Sequence, residues 1–481
     1  MSTHVSIEKL SPGGDGIARI QLKPNAPEKY VLFVPYTAPG EKIEINFTEN
    51  KKSYGRGIPV RILEKSPNRS IPACPYYFAP EKKSWCGGCN FQHLLYSAQL
   101  EEKRNLIQDA MTRIGSLPSI PILPAIAAPR DLEKWRFRNK IQIPFGRSGQ
   151  EVVSGFYAPS SHQIVPIDDC LIQSEPLMKI VKFITQKMND WKCEPYLEEA
   201  RKGWLRHLYI RESSSGEHLV AFITAYAVFS RKEDWIREIR KRFRSVTGIC
   251  QNIQPAQTNV ILGKEWKTLY GQDHLLETLQ GLGVNHSDLK LKVSAPSFFQ
   301  VNSHMAIKLY ELVRKFFIEE EPQANESVLD LHCGVGGIAL TLAPHCKKVI
   351  GVDNVHSSIS DAQENSRLNA ISNCEFIQQD AAQFMEELEK LGTVPKGTVP
   401  DFSPSSTTVI LDPPRAGCDP LLIQSLIKLR PAKIIYVSCE PTTLARDIKL
   451  LTSSGYLCKK IQPIDLFPQS SHIESVSLLT L

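Results

Sequence analysis

At 481 residues the chain is too long for one ordinary domain, and with 42% apolar and 22% charged residues it can build real cores. Its net charge of +6 permits a polyanionic partner without demanding one. No basic region followed by an apolar core opens the chain, and the longest apolar stretch, near His218 to Phe229, is too short to span a bilayer. A cytoplasmic location with no membrane contact is therefore expected, where twelve cysteines argue against a disulfide framework and for buried thiols, with any tight group a metal or cofactor cluster.

In chain order, residues 1–66 read as a small β-barrel. Short alternating segments (Val31–Val34, Ile43–Phe47, Ile58–Leu63) are separated by the turn signals Gly13-Gly14-Asp15-Gly16, Pro39-Gly40 and Tyr54-Gly55-Arg56-Gly57. Lys51, Lys52, Arg56 and Arg61 cluster there, either as a solvated edge or as an RNA-contacting face. Residues 67–288 form a central mixed α+β domain. It has a helix near Tyr96 to Ile114, strands such as Lys140–Phe145 and Leu219–Thr224, and a basic helix from Trp235 to Phe243 whose cations read as a solvated face. From residue 289 to 481 strands and helices alternate, which argues a parallel α/β sheet with buried strands at Val328–Leu331, Lys348–Val352, Thr408–Leu411 and Lys433–Val437. A duplicated Gly-Thr-Val-Pro element within residues 392–400 is expected to be a surface insertion.

The third region carries nucleoside-binding signals. Asp330-Leu331-His332-Cys333-Gly334-Val335-Gly336-Gly337 follows a strand and precedes a helix, where glycines let backbone approach a ligand at a helix N-terminus. Asp353 ends the next strand, placed to accept from both hydroxyls of a ribose, and Asp380 ends a third, where an adenine amino group could be met. Both acids could instead be helix N-caps, and these residues alone leave dinucleotide and S-adenosylmethionine open.

Two further motifs lie at strand ends: the rigid corner Asp412-Pro413-Pro414-Arg415, and Ser438-Cys439-Glu440-Pro441, which puts Cys439 at the carboxyl edge of the sheet. Together with Thr443-Leu444-Ala445-Arg446-Asp447, the final His472-Ile473-Glu474-Ser475-Val476 and the earlier Phe298-Phe299-Gln300-Val301-Asn302, they resemble the RNA 5-methyluridine methyltransferase family. The likeness covers nearly the whole chain, the N-terminal barrel resembling the TRAM (OB-like) module of the branch that acts on 23S ribosomal RNA. It implies a Rossmann-like methyltransferase domain using S-adenosylmethionine, with Cys439 as nucleophile, Glu474 as base and Gln300, His332, Gly337, Asp353, Asp380 and Asp412 around the cofactor. The residue types suit that chemistry, because a thiolate adding to C6 of uracil makes C5 reactive toward a methyl group. His332, Gly337 and Asp353 depart from the family, which more often has an aromatic residue, asparagine and glutamate at these places.

Cys74, Cys86-Gly87-Gly88-Cys89 and the distant Cys170 resemble the family's [4Fe–4S] ligands, although eleven residues separate Cys74 from Cys86, more than is usual there. Spacing alone also fits a four-cysteine zinc site. A monomer acting on ribosomal RNA is expected, with transfer RNA second. The rivals are an amino-group methyltransferase, which needs no thiol and usually ends its corner in an aromatic residue, and a non-catalytic RNA-binding relative; Arg415 and Cys439 oppose the first, and Cys439 and Glu474 the second.

Overall fold

The structure, a computed structural model, describes residues 2–21, 30–128, 134–319, 326–391 and 403–481. The Gly-Thr-Val-Pro duplication lies outside them.

The N-terminal region is a six-stranded sheet. Alternation along Tyr30–Val34 and Lys42–Asn50 turns every second residue inward, so Tyr30, Leu32, Val34, Ile43 and Ile45 meet Val5 and Ala18 in one small core. Strands far apart in sheet order thus share a core, which curls the sheet as the barrel reading expects.

A seven-stranded mixed sheet organises the central region. Its middle strands, Leu205–Glu212 and His218–Thr224, are buried almost throughout because both faces are covered. On one face lie Glu175–Asp190, through Leu177, Ile180, Val181 and Ile184, and Lys232–Arg242, through Trp235, Ile236 and Ile239. The basic side chains of the second helix consequently point outward, where Arg237 pairs with Asp234.

The third region holds seven strands: β1 (Ser327–Leu331), β2 (Lys348–Asp353), β3 (Cys374–Gln378), β4 (Thr407–Leu411), β5 (Lys433–Ser438), β6 (Leu457–Ile464) and β7 (Glu474–Thr480). Their order is β3-β2-β1-β4-β5-β7-β6, with β7 antiparallel to both neighbours and β1 to β5 parallel. Successive residues feed opposite faces. Val328, Val349, Ile410 and Ile435 join a core with the helices Ser303–Glu319, Gly337–Leu342 and His356–Leu368. Leu329, Ile350, Val409 and Ile434 join another with Ala381–Leu391, Pro420–Leu429 and Pro441–Ser453. This is the doubly wound arrangement that repeated strand–helix units produce.

Two pieces of the central region pack here instead of on the central sheet. The helix Tyr96–Ala110, which ends in a π-helical turn at Met111–Gly115 rather than running on as α-helix, puts Ile107, Ala110 and Met111 into the second core. Ile122 and Ile126 then bridge to Ile461 and Ile464 beside β6. Among the described residues no helix is long and apolar enough to cross a membrane.

Candidate functional site

Because β1 to β5 are parallel, their carboxyl ends share one edge, and the strand order reverses between β1 and β4, where α/β proteins bind ligands. A cavity of about 880 Å³ opens there, and Gln300, His332, Gly337, Asp353, Asp380, Asp412, Cys439 and Glu474 all line it. Its size suits a nucleoside-sized ligand with substrate beside it.

After β1 the backbone turns sharply, with left-handed φ at Gly334 (54°), Gly336 (85°) and the non-glycine His332 (71°). Asp353 is built into this turn: one carboxylate oxygen accepts from Gly334 N–H at 3.0 Å and the other from Val355 N–H at 2.8 Å. Asp380 also caps the helix after it, Oδ1 accepting from Ala382 and Gln383 N–H, so its capping and cavity-lining roles coexist. Burial lowers the His332 pKa, keeping the ring neutral. Gly337 faces the Tyr310 ring, whose atoms would lie 2.8–3.0 Å from any Cβ, so Tyr310 fills the space a side chain would need.

Asp330 escaped the sequence reading. It is 1% exposed within β1, and its Oδ2 accepts from Ala339 N–H, bracing the glycine turn from below. Burial, then the nearby Asp412, push its pKa up to about 8. The available signal was an acid inside the otherwise apolar run Val328–Leu331.

Strand pairing brings the chemical groups together. Ser438 and Ser475 are register partners across β5 and β7, so Cys439, one residue beyond, and Glu474, one residue before, meet at the strand ends. Burial pushes the Cys439 thiol up to about 12, reinforced by Glu474 and Asp412 and opposed by Arg415. Glu474 is held well above its ordinary range by burial and then Asp412, and Asp412 itself is raised by burial to about 7. Arg415, from the Pro-Pro corner, is the opposing charge, and it donates to the ring of His472 at 3.0 Å. Burial, then Arg415, lower His472 to about 4, leaving its imidazole neutral to accept.

Cys74, Cys86, Cys89 and Cys170 line a second cavity of about 250 Å³. All four are free thiols, raised by burial, with each of Cys86, Cys89 and Cys170 raised further by its cysteine neighbours. Several adjacent buried thiols ionise together only beside a cation, which makes the donor set suited to a metal centre. Among the described residues, however, no three Cys, His, Asp or Glu side chains are already drawn into a metal-holding group. Lys140, which lines this cavity, sits over the ring of Phe298, which lines the first.

The cluster of cations on the barrel is partly neutralised by acids of the same region. Arg56 pairs with Asp15, Arg61 with Glu44 and Lys51 with Glu49.

A family model described as tRNA (uracil-5-)-methyltransferase matches residues 95–481, and one described as the TRAM domain matches residues 3–60. A protein of Halalkalibacterium halodurans named as an uncharacterized RNA methyltransferase is 36% identical over 99% of this chain and 96% of its own length. One of the same description from Listeria monocytogenes is 36% identical over 100% and 98%. The crystal structure of Pyrococcus abyssi tRNA (uracil-54, C5)-methyltransferase with S-adenosyl-L-homocysteine superposes with a TM-score of 0.72 at 26% identity, covering 99% of both chains.

Proposed function

The chain belongs to the tRNA (uracil-5-)-methyltransferase family, and from that premise we propose that it transfers a methyl group from S-adenosylmethionine to C5 of a uridine in RNA. The observation that carries the reading is the opposition of Cys439 and Glu474 across β5 and β7 at the cavity that the glycine turn also lines.

Gln300, His332, Asp353, Asp380 and Asp412 surround the space for the cofactor, with Gly337 contributing a bare backbone. S-adenosylmethionine supplies the methyl group on a positively charged sulfur. Cys439 adds as thiolate to C6, its electron pair forming the S–C6 bond and displacing the C5–C6 π pair into an enolate. The enolate pair on C5 then takes the methyl group, and the pair of the broken S–CH3 bond would stay on the cofactor's sulfur as a neutral thioether. Glu474 accepts the C5 proton; the C–H pair restores the C5–C6 double bond, and the S–C6 pair returns to sulfur. The target base must leave its stack to be reached from both faces, so an unpaired uridine reacts best.

We assign the substrate as 23S ribosomal RNA, supported by the joint presence of the barrel and the four cysteines. Transfer RNA is the second reading, favoured by the substrate in the name of the Pyrococcus abyssi enzyme. Cys74, Cys86, Cys89 and Cys170 would hold a [4Fe–4S] cluster that braces the second cavity, with zinc as the rival; methyl transfer itself needs no electron. The enzyme acts as a cytoplasmic monomer.

The test is a trap. RNA with 5-fluorouridine at the target has no C5 proton to lose, so wild type should stay covalently attached after one methylation, and Cys439→Ala should neither methylate nor attach. An active Cys439→Ala enzyme removes the nucleophile. Mapping 5-methyluridine in cellular RNA with and without the gene decides the substrate. Anaerobically purified protein should be brown with about four irons per chain; colourless protein with one zinc selects the rival.

A further inference from the structure

An antiparallel strand pair can be closed by two residues, yet β6 and β7 are joined by the nine-residue connection Asp465–Ile473. This is no loose loop: Asp465, Leu466, Gln469 and Ser471 are all buried. Phe467 and His472 line the reaction cavity, and the connection delivers the chain directly to Glu474.

What holds it comes from the opposite end of the sequence. Gln469 N–H donates to Gln99 Oε1 at 3.0 Å, and Gln99 Nε2 donates back to Gln469 Oε1 at 3.1 Å. The Gln469 carbonyl accepts from both Asn90 and Phe91 N–H, at 3.3 and 3.0 Å. Ser471 N–H donates to Asn90 Oδ1 at 2.8 Å, while Asn90 Nδ2 donates to Ser471 Oγ at 3.0 Å and to Gly13 carbonyl at 2.9 Å. Gln469 has φ 70°, a left-handed conformation that a non-glycine keeps only when its surroundings over-determine it. Register supplies the consequence: a slip of one residue in β7 would turn the side chain of Glu474 to the other face of the sheet.

We propose that Asn90 and Gln99 are positioning residues for the proton-removal step, clamping the Asp465–Ile473 connection so that Glu474 stays aimed at the C5 proton. The inference rests on the reading of Glu474 as base. Asn90 directly follows Cys89, so the wall of the cysteine cavity and the base are joined through a single clamped segment.

The experiment follows labelled methyl transfer and covalent complex in single turnovers of the full-length protein, with Glu474→Gln as reference. In that variant methyl transfer should proceed once and the methylated RNA should stay attached to Cys439. Asn90→Ala should keep KM for RNA and cofactor and the methyl-transfer rate within about threefold of wild type, but release methylated RNA at least tenfold more slowly. Asn90→Asp, which retains the acceptor for Ser471 N–H, should restore release. Gln469→Gly removes the side-chain clamp while adopting φ 70° freely; it should also release slowly, and it decides the matter if Asn90→Ala does not fold. Wild-type release in the folded variants, or an equal slowing of both steps, overturns the proposal. Wild-type enzyme that forms no adduct with 5-fluorouridine RNA refutes the underlying chemistry instead.

Discussion

Cys439 and Glu474 stand where burial opposes ionisation, although the proposed chemistry needs both as anions. Each has a raised pKa and in that chemistry would work deprotonated, so activity should be lost as pH falls. With the thiol pushed up to about 12, kcat/KM, which reports the free enzyme, should climb roughly tenfold per pH unit between pH 6 and 9 without levelling off. A plateau beginning below pH 8 would mean that the free protein already holds a thiolate. At Gly337 the strain is steric. A Cβ would lie 2.8–3.0 Å from the Tyr310 ring, so Gly337→Ala should cost about 1–3 kcal/mol in thermal or denaturant unfolding, with partial recovery on adding Tyr310→Leu. The lining acids were legible because each sits at or just beyond the carboxyl end of a strand; Asp330 was missed because an acid inside a strand becomes informative only when its burial is known.

Among the elements, the helix Tyr96–Ala110 shows how far periodicity reaches. Its apolar spacing identifies a helix, but not that Ile107 and Ala110 seek the methyltransferase sheet rather than the nearer central one. The attachment is more than apolar. Lys103 and Asp465, both fully buried, form an ion pair, and Lys103 also donates to the Phe467 carbonyl. Removing one partner of a buried pair leaves the other uncompensated, at about 3–5 kcal/mol. Lys103→Met should therefore lower the unfolding free energy by that amount in urea, and Lys103→Met with Asp465→Leu should regain much of it. A loss below about 1 kcal/mol in the single variant would show that the pair does not hold the helix in place.

For the molecule as a whole, the barrel is docked rather than tethered. Tyr36 stacks on Phe78 at 4.5 Å, Trp85 Nε1 donates to Tyr36 OH, and the His93 ring meets the Thr37 carbonyl at 3.0 Å. Deleting the barrel would expose this aromatic cluster, so charge substitution is the cleaner probe of RNA binding by this face. Lys52→Glu with Arg56→Glu should weaken RNA binding and flatten its salt dependence by about one unit of slope for each phosphate no longer neutralised, leaving cofactor binding unchanged. An unaltered slope would take this face out of the RNA interface. By itself the sequence determined the α/β class, the glycine turn, the acids that follow the strands and the membership that Cys439 and Glu474 announce, because periodicity, turns and motifs are short-range signals. Only the tertiary structure decided that Ser438 pairs with Ser475 and so brings Cys439 beside Glu474, that Asn90 and Gln99 hydrogen-bond the connection before Glu474, and that burial raises the pKa of both side chains. Pairing across hundreds of residues depends on which faces are buried together, and an ionisation constant depends on the depth and charges around a group, neither of which is written in local order.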